Sequence, residues 1–96
     1  MKKTAIEKYI DEQIRLMKQT IEFVNEGCVS ETYPTRMERI DFALWSLEQD
    51  KTSAFGVLSY AKHYERTITD ELFNDLKQRV LKAWSECEDL AWNTIE

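Results

Sequence analysis

The chain has 96 residues and a net charge of −5 at pH 7, and its length predicts a single domain over residues 1–96. The acidic balance disfavours binding to nucleic acid and to anionic membranes, and no apolar run approaches the length of a membrane-spanning helix. Charged residues interrupt the stretch behind Met1, so we expect no secretory signal, no membrane association and a cytoplasmic location.

Glycine and proline are scarce, since only Gly27, Gly56 and Pro34 occur in the whole chain. Average usage would give about eleven of the two residues in this length. Because glycine and proline divide chains into turns and strands, their scarcity leaves long stretches in which apolar residues recur every three or four positions. The sequence predicts an all-α protein, a small antiparallel bundle of about four helices in the order long, short, short, long.

The first predicted helix runs from about Thr4 to Glu26 and ends at Gly27, a residue suited to the left-handed position that follows a helix. Its apolar residues cover about half of the circumference at about 100° per residue, which is wide for a helix with one neighbour. The width indicates contact with two neighbouring helices. The apolar positions are Ile6, Tyr9, Ile10, Ile14, Leu16, Met17, Ile21, Phe23 and Val24.

A second predicted helix runs from Thr35 to about Glu48. Thr35 and Glu38 have the spacing of a capping box, and the alternative start is Pro34 as the first helical residue. Its core stripe consists of Met37, Ile40, Leu44 and Leu47.

The polar residues 49–53 predict a short turn, after which a short third helix covers residues 54–66. Gly56 in the first turn of this helix weakens it. The alternative is a single bent helix over residues 35–66, since element boundaries are the least certain part of a prediction from sequence.

The fourth predicted helix begins after Thr69, a favourable N-cap residue, and extends to about Thr94. In an up-down-up-down bundle the first and fourth helices are antiparallel, which separates Cys28 from Cys87 by roughly 25 Å. We therefore expect two buried free cysteines and no disulfide. The core face of the fourth helix consists of Leu72, Leu76, Val80, Ala83, Cys87, Leu90 and Ala91.

Residue types that carry catalysis or bind metal do not occur at suitable spacings. His63 lacks the partners of a catalytic triad or a zinc site, and Tyr60 stands where a bundle di-iron site has a glutamate. The sequence contains no glycine-rich phosphate loop and no nucleophile elbow. We predict no catalytic residue, no metal site, no cofactor and no enzymatic activity.

A helix-turn-helix over residues 52–82 supports the alternative function, a dimeric nucleic-acid-binding regulator. Acidic residues among its basic ones cancel most of the positive charge, and phosphate contacts dominate affinity for DNA. Nucleic acid is therefore a disfavoured partner. The basic residues are Lys62, Arg66, Lys77, Arg79 and Lys82.

Large apolar residues outside the core stripes give the main functional signal. Phe42 and Trp45 project away from the stripe of the second predicted helix, and Leu81 and Trp92 lie at or beyond the margin of the fourth. Cover by a neighbouring helix or loop is the structural explanation. The functional one is a binding surface, because exposed apolar patches mark contact sites and aromatic residues are enriched in interface hot spots. The surplus of apolar surface also favours a homodimer.

The acidic end of the fourth predicted helix gives a second signal. Residues 83–96 contain four acidic residues and no lysine or arginine, although the helix dipole favours cations there. A solvated face is the alternative to a functional patch. We predict a non-catalytic protein that binds another protein as an inhibitor, adaptor or regulatory subunit. One such mode of action is to present an acidic surface to a nucleic-acid-handling enzyme. The predicted partner-binding residues are Phe42, Trp45, Leu81, Glu86, Glu88, Asp89 and Trp92.

Overall fold

The computed structural model describes residues 3–96, which form three α-helices and one π-helical turn. Helix α1 covers Ala5–Asn25, α2 covers Arg36–Tyr60, the π turn Ala61–Glu65 follows directly, and α3 covers Asp70–Thr94. The helices pack against one another in an elongated bundle of 45 × 25 × 18 Å. The all-α prediction is confirmed for the described residues, and the prediction of about four helices is wrong because there are three.

The structure bears on the expectation about membranes, whereas the stretch predicted to carry no leader begins outside the described residues. None of the helices in residues 3–96 combines the length and the apolar content that crossing a bilayer requires. Met1 and Lys2, which begin the stretch where we expect no secretory leader, lie outside the described residues.

Helix α2 continues through residues 49–53, for which the sequence predicts a turn. Residues 49–53 contain no glycine or proline, so nothing in the backbone chemistry ends the helix there. Leu47, Ala54 and Leu58 are buried at helical spacing on either side of the segment, and a continuous helix places all three on one face. The two short helices of the prediction are therefore one helix, which is the alternative that the sequence left open.

The smaller number of helices also changes the direction of the last one. Arg79 of α3 is 2.5 Å from Asp11 of α1, and the amide of Asn25 donates a hydrogen bond to the Thr94 hydroxyl at 2.9 Å. These contacts at both ends show that α1 and α3 are parallel. The predicted antiparallel pairing of the first and last helices is wrong because one reversal of the chain is missing.

Each α-helix begins at a threonine whose hydroxyl accepts a hydrogen bond from a backbone N–H three residues later. This cap satisfies one of the otherwise unpaired N–H groups at a helix start. Thr35, not Pro34, therefore precedes α2. The three hydrogen bonds join Thr4 to Glu7, Thr35 to Glu38, and Thr69 to Leu72.

Gly27 ends α1, as its position in the sequence predicts. Its φ is +85°, its N–H donates to the Val24 carbonyl at 3.1 Å, and the Cys28 N–H donates to the Phe23 carbonyl at 3.4 Å. This pair of hydrogen bonds is a Schellman motif, which favours glycine at the left-handed position.

Arginines of α2 supply the positive charge that the end of α3 lacks. Arg36 donates to the carbonyl oxygens of Ile95 at 2.9 Å and Trp92 at 2.8 Å, and Arg39 donates to that of Glu96. The last turn of α3 contains no basic residue of its own. The acidic tail therefore has a structural compensation, since cations from a neighbouring helix meet the negative end of the dipole.

The two cysteines lie in different surroundings, and both are free. Cys87 is 1% exposed in the core, and burial raises the pKa of its thiol. Cys28 is exposed, so the expectation that both are buried is wrong for this residue. Cys28 follows the reversal at Gly27, where helical periodicity no longer determines which side chains face the core.

We expect a thiol reagent at neutral pH to label Cys28 rapidly and Cys87 slowly, because Cys87 reacts only when the core opens. Stopped-flow absorbance with mass spectrometry measures the two phases. The Cys28→Ser variant should show the slow phase alone, and rapid labelling of that variant would contradict the burial of Cys87.

Gly56 lies in the interior of α2 on its exposed side, and a Cβ atom there would meet no other atom within 4 Å. Glycine in a helix interior costs about 1 kcal/mol relative to alanine. We therefore expect Gly56→Ala to raise the free energy of unfolding by about 0.5–1 kcal/mol in urea denaturation. Gly27→Ala is the matched control and should lower it, because the backbone there has a positive φ.

Candidate functional site

An open groove runs between α1 and α2 on the surface of the bundle. The hydroxyl oxygens of Thr20 and Ser46 approach to 3.5 Å across the helix pair and form part of its wall. The groove has a volume of about 320 Å³. We call it the α1–α2 groove, and it is lined by Leu16, Gln19, Thr20, Phe23, Phe42, Ser46 and Asp50.

A second concavity adjoins the groove at Phe42, which lines both. The Tyr33 ring stacks on Phe42 with ring centroids 5.0 Å apart and an angle of 27° between the planes. The connection between α1 and α2 thereby contributes one wall. We call this concavity the Trp45 hollow, and it is lined by Tyr33, Glu38, Asp41, Phe42 and Trp45.

The aromatic side chains of the groove and the hollow differ in burial. Phe42 and Tyr33 are half-buried and pack against the core, whereas Trp45 is 61% exposed and Phe23 is 45% exposed. Cover by neighbouring residues therefore accounts for Phe42 in part and leaves Trp45 largely open to water. A half-buried aromatic base with an exposed tryptophan beside it forms one apolar surface across α1 and α2.

Asp50 places a carboxyl group in the α1–α2 groove. Partial burial raises the pKa of this carboxyl above its ordinary value of 3.8. None of the residues that line the groove is basic, so the carboxylate has no cation beside it in the groove. Desolvation without a nearby positive charge makes the ionised form less stable.

We expect Asp50→Asn to raise the free energy of unfolding at neutral pH and to lose this effect below pH 3.8. Because its pKa is raised on folding, the folded protein binds the Asp50 proton more tightly than the unfolded chain does. The contribution of Asp50 to the free energy of unfolding therefore falls as the pH rises from the pKa of this carboxyl in the unfolded chain through its raised pKa in the folded protein. Urea denaturation at both pH values measures the difference, with Asp89→Asn on the solvated side of α3 as the charge control.

The other predicted site residues belong to α3 and line neither the groove nor the hollow. Two steps along a helix turn it by about 200°, so Glu86 and Glu88 project from opposite sides of α3. Glu86 also lies 4.0 Å from Lys82. In exposure, Leu81 and Glu88 are half-buried, and Glu86, Asp89 and Trp92 are exposed.

Sequence reasoning identified Phe42 and Trp45 of this surface and missed the other lining residues, among them the aromatic residues Tyr33 and Phe23. Tyr33 lies in the connection between helices, where periodicity assigns no face to a side chain. Phe23 was assigned to the wide apolar arc of the first helix. The spacing of seven between Leu16 and Phe23 was the available signal, because both residues line the groove from the same flank of α1.

Intramolecular partners hold most of the basic residues that the nucleic-acid hypothesis needs. Lys62 lies 3.5 Å from Asp70, and Arg79 lies 2.5 Å from Asp11. Lys77 lies over the rings of two phenylalanines of the α2–α3 interface, 5.8 and 6.0 Å from their centroids. The two ion pairs reduce the positive charge available to phosphate groups.

His63, the single histidine, is exposed and lies edge-on to the Phe73 ring at 6.3 Å between centroids. Within residues 3–96, no three side chains of histidine, cysteine, aspartate or glutamate come together as metal ligands would. His63 therefore has an aromatic neighbour but no arrangement of metal-binding groups around it in that part of the chain.

No protein-family model, no curated protein and no solved structure matches this chain.

Proposed function

We propose that this protein acts by binding another protein, as an inhibitor, adaptor or regulatory subunit, through the α1–α2 groove and the Trp45 hollow. The observation that carries the proposal is the 61% exposure of Trp45 beside the half-buried Phe42. Tryptophan and tyrosine are enriched among the few residues that carry most of the energy of an interface. A tryptophan that is mostly in water contributes little to folding, so its apolar surface is available to a partner.

The acids of the hollow add a charge preference to this surface. Glu38 and Asp41 line the hollow, and Asp50 lies in the adjoining groove. Carboxylates here repel phosphate groups, which favours a protein partner over nucleic acid. A nucleic-acid-handling enzyme is one class of partner that suits these acids, because its phosphate-binding surface is positively charged.

A homodimer remains a separate prediction about the same protein. Each copy carries a net charge of −5, and pairing the hollow with its own copy would bring the same acids together. We therefore propose a different protein as the occupant of this surface. Sedimentation across a range of concentrations measures whether self-association occurs elsewhere on the bundle.

Capture from the source cell with tagged wild type, Trp45→Ala and Tyr64→Ala, followed by mass spectrometry, tests the proposal. We expect a protein that wild type and Tyr64→Ala retain and that Trp45→Ala loses by about tenfold or more. Tyr64 is the matched control because it is an exposed aromatic residue, at 80%, but lies in the π turn outside the groove and the hollow. Equal retention by all three, with folding verified by circular dichroism, would exclude the Trp45 hollow as the contact.

A further inference from the structure

The α1–α2 groove and the Trp45 hollow together have the shape of a seat for a helix. Two packed helices leave a furrow between them into which the side chains of a third helix interdigitate, and α3 occupies the opposite side of this pair. The lining residues of α2 extend from Glu38 to Asp50, twelve steps along the helix and therefore about 18 Å. This length matches about three turns of a helix lying along the groove.

The apolar content of the seat is concentrated on its floor. Phe42 is half-buried at the junction of the groove and the hollow, with Leu16 and Phe23 on the α1 side and Trp45 on the outer side. Such a floor suits a helix with an apolar stripe at spacings of three and four residues.

The charges around the seat have one sign. Three carboxylates line it, from Glu38, Asp41 and Asp50, and no lysine, arginine or histidine does so among the described residues. Asp50 is the partially buried member of this set.

Two basic residues of the same helices, Arg39 and Arg15, have hydrogen-bond partners at the border of the seat. Arg39 donates to the carbonyl oxygens of Tyr33 and Glu96, which turns it toward the end of the bundle. Arg15 pairs with Glu12 and donates to Gln19 at the rim of the groove at 3.3 Å. The positive charge of Arg15 is thereby balanced by its own carboxylate partner, and the ionisable side chains that line the seat are all acidic apart from Tyr33.

We infer that the seat binds a basic amphipathic helix of the partner, with leucine-like residues against Phe23, Phe42 and Trp45 and with lysines or arginines facing Glu38, Asp41 and Asp50. This inference rests on the proposed function and specifies the chemistry of the partner. Opposite charges on the flanks fix the register of the bound helix and speed its association, while the apolar stripe supplies most of the affinity.

Synthetic peptides of about 18 residues test the inference, since shorter helices are marginal in water. The first peptide carries leucines in an a/d stripe and lysines on both flanks. The second has the same stripe with glutamates in place of the lysines, and the third contains the residues of the first in an order that destroys the stripe. Fluorescence anisotropy of labelled peptides measures the dissociation constant for the full chain.

We expect the first peptide to bind wild type at least about tenfold more tightly than either of the others. Trp45→Ala should weaken this binding by about tenfold or more, and the double variant Asp41→Asn/Asp50→Asn should weaken it several-fold at low salt but little at high salt. The matched controls Tyr64→Ala and Asp75→Asn, at exposed positions outside the seat, should leave it unchanged within about twofold.

Failure of the first peptide to bind would overturn the inference. So would equal binding to wild type and Trp45→Ala, because that result would show attraction to negative charge in general. Binding of the glutamate peptide as tightly as the lysine peptide would overturn the charge assignment. The proposed function has an independent readout, since loss of a cellular partner on Trp45→Ala supports it even if every peptide fails. Retention of all cellular partners by Trp45→Ala would contradict the proposed function.

Discussion

Replacing Gln49 with proline is expected to lower the free energy of unfolding by about 3 kcal/mol or more. Gln49 is exposed and lies in the interior of α2, so the substitution leaves core packing untouched and acts on the backbone alone. Proline removes one helical hydrogen bond and its ring clashes with the carbonyl of the residue four positions earlier. Urea denaturation followed by circular dichroism at a helical wavelength measures the loss.

The size of this loss discriminates between one long helix and two short ones. In a polar turn over residues 49–53, proline would be tolerated or would even stabilise the chain by restricting the unfolded state. Gln49→Ala is the matched control, and it should be neutral or slightly stabilising because alanine is the best helix former. A proline variant as stable as the alanine variant would contradict the continuous helix.

The helix class was predictable because local chemistry and core packing agree over most of this chain. Thr69 and Gly27 mark helix boundaries by hydrogen bonds and backbone freedom that depend on the residue itself. The continuity of α2 was not predictable in the same way. Its polar segment 49–53 is local information, whereas the burial of Ala54 on the far side of that segment is fixed by tertiary contacts.

The candidate surface was predictable only where a helical wheel applies. Phe42 and Trp45 could be identified because their positions on the second predicted helix point away from its core stripe. Tyr33 could not, because its stacking on Phe42 depends on the path of a connection that has no period. The compensation of the acidic tail of α3 could not be predicted either, since Arg36 reaches its terminal carbonyls from a helix distant in sequence.

Residues 45 and 47 lie two positions apart on α2 and should respond to truncation in opposite ways. Leu47 is fully buried in the core, whereas Trp45 is 61% exposed. We expect Leu47→Ala to lower the free energy of unfolding by about 2–5 kcal/mol, because it removes buried methyl groups and leaves a cavity. Trp45→Ala should change that free energy by about 0.5 kcal/mol or less.

Binding should show the reverse order, and this crossing of effects separates folding from recognition. Under conditions where both variants are folded, Leu47→Ala should bind the lysine-flanked peptide within about twofold of wild type, since its side chain faces the core. Trp45→Ala should lose about tenfold or more in affinity. Urea denaturation and peptide anisotropy on the same samples give the free energy of unfolding and the dissociation constant of each variant. A Trp45→Ala variant that lost stability and kept its affinity would make this tryptophan part of the fold, with no role at the seat between α1 and α2.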